Sequence, residues 1–195
     1  MEKNDLFEKI WEKHRNLIGN TNIENPKKVI LIAGVPGSGK TSLLKGIQKA
    51  LNSLYFRSDD VRDILEELYG NHILANNANL KYEYFLFVFE TKIKKFKNQA
   101  IILDISLDRA YEFVFKLIEK YSYPQFVISL NCSKESLIQR IEQREKKYKD
   151  EFLQKLPQWI SDHQNFERNN IPDISIDTDN TTVEEGVKRV LSLLK

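Results

Sequence analysis

One stretch near the front of the chain, Lys27 to Ser42 (KKVILIAGVPGSGKTS), limits the possible folds more than any other. Val29 to Ala33 is an unbroken apolar, largely β-branched run, the pattern of a parallel strand buried on both faces. Gly34-Val35-Pro36-Gly37-Ser38-Gly39-Lys40-Thr41 follows, which is G-x-x-x-x-G-K-[ST], a phosphate-binding loop. The glycines let backbone N–H groups converge on phosphate oxygens with no Cβ in the way. Lys40 supplies a point charge for the β- and γ-phosphates, and the Thr41 hydroxyl suits Mg²⁺. The next helix is marked by Leu43, Leu44, Ile47 and Leu51, and its positive N-terminal end faces the same anion. Gly34, Pro36, Gly37, Ser38, Gly39, Lys40, Thr41 and Ser42 are therefore the candidate nucleotide-binding residues.

The rest of the composition bounds the setting. A length of 195 residues fits one domain with a substantial core. A net charge of +2 argues against a chain built chiefly to coat nucleic acid. The one cysteine, Cys132, cannot form an internal disulfide, so a reducing cytoplasm is expected; its place just after a strand reads as packing rather than nucleophilic chemistry. No apolar run approaches the length of a membrane span, and the polar N-terminus is no signal peptide. No membrane and no obligate protein partner is expected.

Residues 4–18 read as an extra N-terminal helix, with Leu6, Phe7, Ile10, Trp11, Leu17 and Ile18 mostly on one face, packing against the domain. Asn20 to Pro26 links it to the first strand, which suggests residues 1–26 as helix and linker and 27–195 as the main domain. Leu54 to Arg57 is a short second strand that delivers Ser58-Asp59-Asp60-Val61-Arg62 to the sheet's carboxyl edge, where ligands of open parallel sheets bind. Asp60 or Ser58 suits the cap of the helix that follows. Asp59 and Arg62, three apart, share one side of its first turn. Their spacing fits two roles equally: an ion pair on the surface, or a general base with a phosphate-binding arginine.

Residues 70–79 are a polar loop, with His72 a weak candidate base. A helix over Asn79 to Phe96 carries Tyr82, Tyr84, Phe85, Phe87 and Phe89; most are core at helical spacing, and one or two near its start suit a substrate pocket. Ala100 to Asp104 is a third buried strand ending in an acid, placed either to back a metal site with Thr41 or to cap the next helix, Leu107 to Tyr121. Ile105 and Ser106 follow Asp104. A hydrolase would want a glutamate there to position water, so transfer to another acceptor is favoured. Gln125 to Leu130 is a fourth strand, and Lys134 to Lys149 carries Arg140 and Arg144 on one helix face. Those arginines fit either a clamp on a transferring phosphoryl group or a solvated face paired with Glu142 and Glu145. Pro157 reads as the start of a new helix. Ile174 to Thr178 is a fifth strand, Asp179 to Thr182 a turn and cap, and Val183 to Leu194 a closing helix. Asn131-Cys132-Ser133-Lys134 is not the N-K-x-D signature of guanine binding.

GVPGSGKTS, then SDDVR, IILDIS, QRIEQRE and SIDTDNTTVEEGVKRVL together resemble the P-loop kinases of the AAA-type ATP-binding P-loop superfamily, and within them the polynucleotide kinase, zeta-toxin and chloramphenicol phosphotransferase branch. The resemblance covers residues 28–195. It implies a three-layer α/β fold with a parallel five-stranded sheet in order 2-3-1-4-5 flanked by helices, with a helical lid near 134–168. It implies ATP with Mg²⁺ and a hydroxyl acceptor, small molecule or nucleic-acid end. Lys40 would contact the phosphates, Thr41 and Asp104 would serve the metal, Asp59 would be the base, Arg62 an acceptor-side contact, and Arg140 or Arg144 the lid clamp. The third-strand motif departs from the branch's D-x-[TN]-N, reading Asp104-Ile105-Ser106-Leu107, and no paired-arginine pattern marks a nucleoside monophosphate acceptor. The acceptor therefore stays open. A nucleotide-binding switch without an acceptor is the competing reading.

Overall fold

A computed structural model describes residues 3–15, 28–70, 80–92, 100–144 and 149–194. The polar loop with His72, the 20–26 link, Leu17 and Ile18 lie outside these residues, as does the Arg144 side chain. In chain order the elements are α1 (Lys3–His14), β1 (Val29–Ala33), α2 (Lys40–Leu51), β2 (Leu54–Arg57), α3 (Ser58–Tyr69), α4 (Leu80–Thr91), β3 (Ile101–Asp104), α5 (Leu107–Lys120), β4 (Gln125–Asn131), α6 (Lys134–Arg144), α7 (Lys149–Asn169), β5 (Ile174–Asp177) and α8 (Val183–Leu193). The five strands form one parallel sheet in the order β2-β3-β1-β4-β5, as the P-loop kinase resemblance implies. Among the described residues no helix is long and apolar enough to cross a membrane.

The side-chain alternation of β1 divides the core. Val29, Leu31 and Ala33 join one cluster with α1, α3, α4 and α5, whereas Ile30 and Ile32 join a second with α2 and α8. Both faces being covered explains why the strand is apolar throughout. A third, smaller cluster of Val35, Leu137, Ile141 and Leu156 joins the phosphate loop itself to α6 and α7. Helix α1 belongs to the first cluster: Leu6, Phe7 and Ile10 are buried, and Ile10 is fully so. Its last residue, His14, is also fully buried and meets the Tyr84 hydroxyl at 2.9 Å.

Two local expectations are corrected. Neither Ser58 nor Asp60 caps α3: the helix already begins at Ser58, Arg57 is the capping position, and Asp59 and Asp60 fall in the first turn. There they complement the helix's positive end directly. Pro157 does not start a helix. It lies inside α7, which runs unbroken from Lys149 to Asn169. Proline removes one backbone bond and crowds the preceding turn. The helix persists because Leu156 before it and His163 and Phe166 after it are buried against the domain.

Candidate active site

Parallel strands of similar register end at one edge, and there β1, β2 and β3 deliver Gly34, Arg57 and Asp104. The loop after β1 turns tightly. Gly37 and Gly39 have φ of 92° and 95°, a left-handed conformation that glycine adopts without strain, and Gly39 is the capping residue of α2. Lys40 opens α2 and folds back over the loop, with its ammonium donating to the Gly34 carbonyl and, at 3.2 Å, to that of Val35. Burial pushes the Lys40 pKa down from its usual value. The charges of Asp108 and Asp104 oppose that shift, while the nearby Arg109 adds to it.

Asp104 is buried at the end of β3. Its Oδ2 accepts from the Thr41 hydroxyl at 3.3 Å and from the Tyr55 hydroxyl at 2.5 Å. It is not a helix cap, because Ser106 holds the capping position of α5. A threonine hydroxyl beside a carboxylate is a hard-oxygen pair suited to Mg²⁺, which takes few protein ligands and relies on substrate phosphates and water for the rest. Among the described residues no group of three or more His, Cys, Asp or Glu side chains is placed to hold a metal ion.

At the head of α3, Asp59 sits between two arginines: Arg62 Nη1 lies 3.1 Å from Oδ1, and Arg57 Nη2 lies 3.2 Å from Oδ2. Arg57 also reaches Asp60 at 3.2 Å, and Arg62 reaches Asp63 at 3.1 Å. Sequence reasoning passed over Arg57. Its signal was its place as the last residue of β2, at the ligand edge. Arg140, on α6, reaches both the phosphate loop and the turn after β5. It donates to Thr178 Oγ1 at 3.0 Å and to the Thr178 carbonyl at 2.8 Å, and lies 3.5 Å from the Gly37 carbonyl. There it lines a cavity of about 300 Å³ with Gly37, Ser42, Thr178, Thr182 and Gly186, beside the phosphate loop and the turn after β5. Cys132 is half-buried, donates to Asp179, and has its pKa raised by burial, so its thiol is not poised as a nucleophile.

The residue most clearly missed is Asp108, in the first turn of α5. Both its oxygens accept from the Gly34 N–H, at 3.0 and 3.1 Å, and Oδ1 also meets His163 Nδ1 at 2.7 Å. Burial opposes the Asp108 charge, but the His163 hydrogen bond and charge, Lys40 and the Gly34 amide together hold the carboxyl below its usual range. His163 Nε2 faces Asn131 Oδ1 at 3.0 Å, while Asn131 Nδ2 donates to Glu167. Each ring nitrogen thus faces a side-chain oxygen. The chain Gly34–Asp108–His163–Asn131–Glu167 ties the phosphate loop to α7. A lone aspartate and a lone histidine separated by 55 positions carry no local pattern that would have paired them.

Residues 30–168 match a family profile described as an AAA domain, well over half of the chain. The chain belongs to that family. No curated protein matches this AAA-domain chain in sequence. Solved structures match in fold. A gluconokinase from Sinorhizobium meliloti 1021 is 18% identical with a TM-score of 0.59, the match covering 87% of this chain and 93% of that one. A shikimate kinase from Bacteroides thetaiotaomicron is 18% identical with a TM-score of 0.58, covering 85% and 97%. The APS kinase of Mycobacterium tuberculosis, in complex with AMPPNP and APS, is 15% identical with a TM-score of 0.56, covering 87% and 98%. The P-loop kinase fold is therefore shared with a gluconokinase, a shikimate kinase and an APS kinase.

Proposed function

We propose that this chain is an ATP- and Mg²⁺-dependent kinase that moves the γ-phosphoryl group to a hydroxyl of a small molecule or a nucleic-acid end. One observation carries the reading: the Asp104 carboxylate lies against the Thr41 hydroxyl, with Ile105 and Ser106, not a glutamate, following it. Such a pair suits a metal site, and no glutamate follows Asp104 in sequence to orient hydrolytic water. The fold neighbours, kinases by name, support the same direction.

In this reading the loop amides and Lys40 hold the β- and γ-phosphates, and Lys40 exchanges its two carbonyl partners for phosphate oxygens. Thr41 and Asp104 hold Mg²⁺, which supplies charge neutralisation on the phosphates when bound. Asp59 accepts the proton of the acceptor hydroxyl. Arg57 and Arg62 keep its carboxylate aimed and its oxygens fixed. Arg140 forms a wall of the nucleotide pocket beside Thr178, and Arg144 belongs to the lid over 134–168. Catalysis is then positioning and electrostatics. The likeness of SDDVR to the polynucleotide kinase, zeta-toxin and chloramphenicol phosphotransferase branch supports Asp59 as base.

The test is steady-state transfer by Asp59→Asn at saturating ATP. Turnover falls by about 10² or more, the usual contribution of a general base, with ATP affinity little changed. Unchanged turnover removes Asp59 from the mechanism.

A further inference from the structure

Three arginines of the carboxyl edge are already engaged. Arg57 bonds Asp59 and Asp60, Arg62 bonds Asp59 and Asp63, and Arg140 is taken by Thr178 with Asp179 3.5 Å away. Arg109 differs. It is exposed at the head of α5, one residue after Asp108, and close enough to bear on the charge of Lys40. Among the described residues its hydrogen bond goes to the Ser106 hydroxyl at 2.8 Å, and no carboxylate pairs with it. Its guanidinium lies 5.3 Å from the ring centre of Trp159, on α7, and Trp159 is braced edge-on by Phe152 with ring centres 5.3 Å apart.

An exposed guanidinium beside an aromatic ring keeps N–H donors beyond the one given to Ser106, and its planar fork matches the two oxygens of a carboxylate or phosphate. Arg109 also lines a cleft of about 640 Å³ between α4 and α5, with Tyr82, Leu86, Tyr111 and Phe113. The size suits a small ligand. Of the cleft's two acids, Glu83 is paired with Lys3, and Glu112 is exposed on α5.

We propose that Arg109, beside Trp159, reads an anionic group of the acceptor, and that the acceptor is a small hydroxy compound carrying its own carboxylate or phosphate. This rests on the kinase reading. The anion fixes one end of the acceptor on Arg109 and α7 while its hydroxyl turns to Asp59. Trp159 is a positioning residue, because it acts through Arg109.

The experiment has two independent arms. In the first, label transfer from γ-labelled ATP is measured with matched neutral sugars, sugar acids and sugar phosphates. Anionic members are labelled in preference to neutral ones, the two anionic arms separating carboxylate from phosphate. Arg109→Ala raises acceptor KM about tenfold or more with ATP KM within about twofold, and Arg109→Lys, which keeps the charge but loses the fork, falls between. Trp159→Leu likewise acts on acceptor KM, and Arg109→Ala adds little to it. In the second arm, Trp11→Phe leaves Trp159 as the remaining indole of the chain's two. With the phosphate loop filled by a non-hydrolysable ATP analogue and Mg²⁺, a sugar acid or sugar phosphate changes Trp159 emission saturably, a neutral sugar does not, and Arg109→Ala abolishes the change. Preference for neutral acceptors with no effect of Arg109→Ala overturns the proposal, as does the absence of any saturable Trp159 response. A saturable response with no label on any acceptor supports the anion site and overturns the kinase reading instead.

Discussion

Asp104 and Asp108 lie four residues apart and both are buried, yet their deletion should fail in different ways. Asp108→Ala strips the partner from the Gly34 N–H and from His163 Nδ1, both in buried residues. An unsatisfied buried donor costs about 1–3 kcal/mol, and more where charge is involved. Two such groups give roughly 2–6 kcal/mol, a large fraction of a typical domain's stability of about 5–15 kcal/mol. ATP binding should weaken too, because Gly34 opens the phosphate loop. Asp104→Ala instead frees two hydroxyls, of Thr41 and Tyr55, and a hydroxyl rotates to suit a new partner more readily than a backbone amide. Its stability cost should be the smaller, while Mg²⁺-dependent activity is lost. Denaturant unfolding of both variants, with ATP titration of each, separates the two roles. His163→Ala combined with Asp108→Ala should be less than additive, since the two share one bond. An Asp108→Ala protein within about 1 kcal/mol of wild type with unchanged ATP affinity would refute the assigned role.

Two further consequences follow from burial and backbone shape. His14 is fully buried, and burial lowers its pKa from 6.5 to about 4. Its neutral form is thus favoured in the fold: the stability is present above pH 6.5 and lost as pH falls toward 4, about 3 kcal/mol in all. Chemical unfolding at pH 7 and pH 4.5 should show that loss in the wild type and a smaller one in His14→Gln; equal losses contradict it. Gly34→Ala places a Cβ 2.6 Å from Ser38 Oγ and 3.1 Å from Leu130 Cβ at a φ of 148°, so it should cost about 1–3 kcal/mol and weaken ATP binding. Thermal unfolding and ATP titration of this variant measure both.

The fold was legible because its signals are local. The β1 run and the glycine spacing fix a strand, a loop and a helix in one stretch, and each later strand is a short apolar block ending at a polar residue. The Asp104–Thr41 contact was legible for the same reason, since an acid ending β3 must arrive beside the loop that ends β1. Asp108, His163 and Arg57 were not. Their meaning lies in contacts across 74, 55 and 47 positions, to Gly34, to Asp108 and through the β2–β3 register to Asp104, and single residues have no period to betray them. The Pro157 misreading has the same origin: a local rule was overridden by tertiary burial on both sides of the proline. The spacing that groups Arg140 with Arg144 carries no information about the Thr178 turn that receives Arg140.

The most direct test of the central claim is label transfer from γ-labelled ATP with Mg²⁺ across hydroxyl acceptors, including sugars, sugar acids, sugar phosphates, nucleosides and 5′-hydroxyl oligonucleotides, with Lys40→Ala as control. Kinase activity predicts that label moves to one class of hydroxyl acceptor and that Lys40→Ala abolishes the transfer. Label released only as inorganic phosphate at the same rate with or without every acceptor, or a tight preference for GTP over ATP, would contradict it.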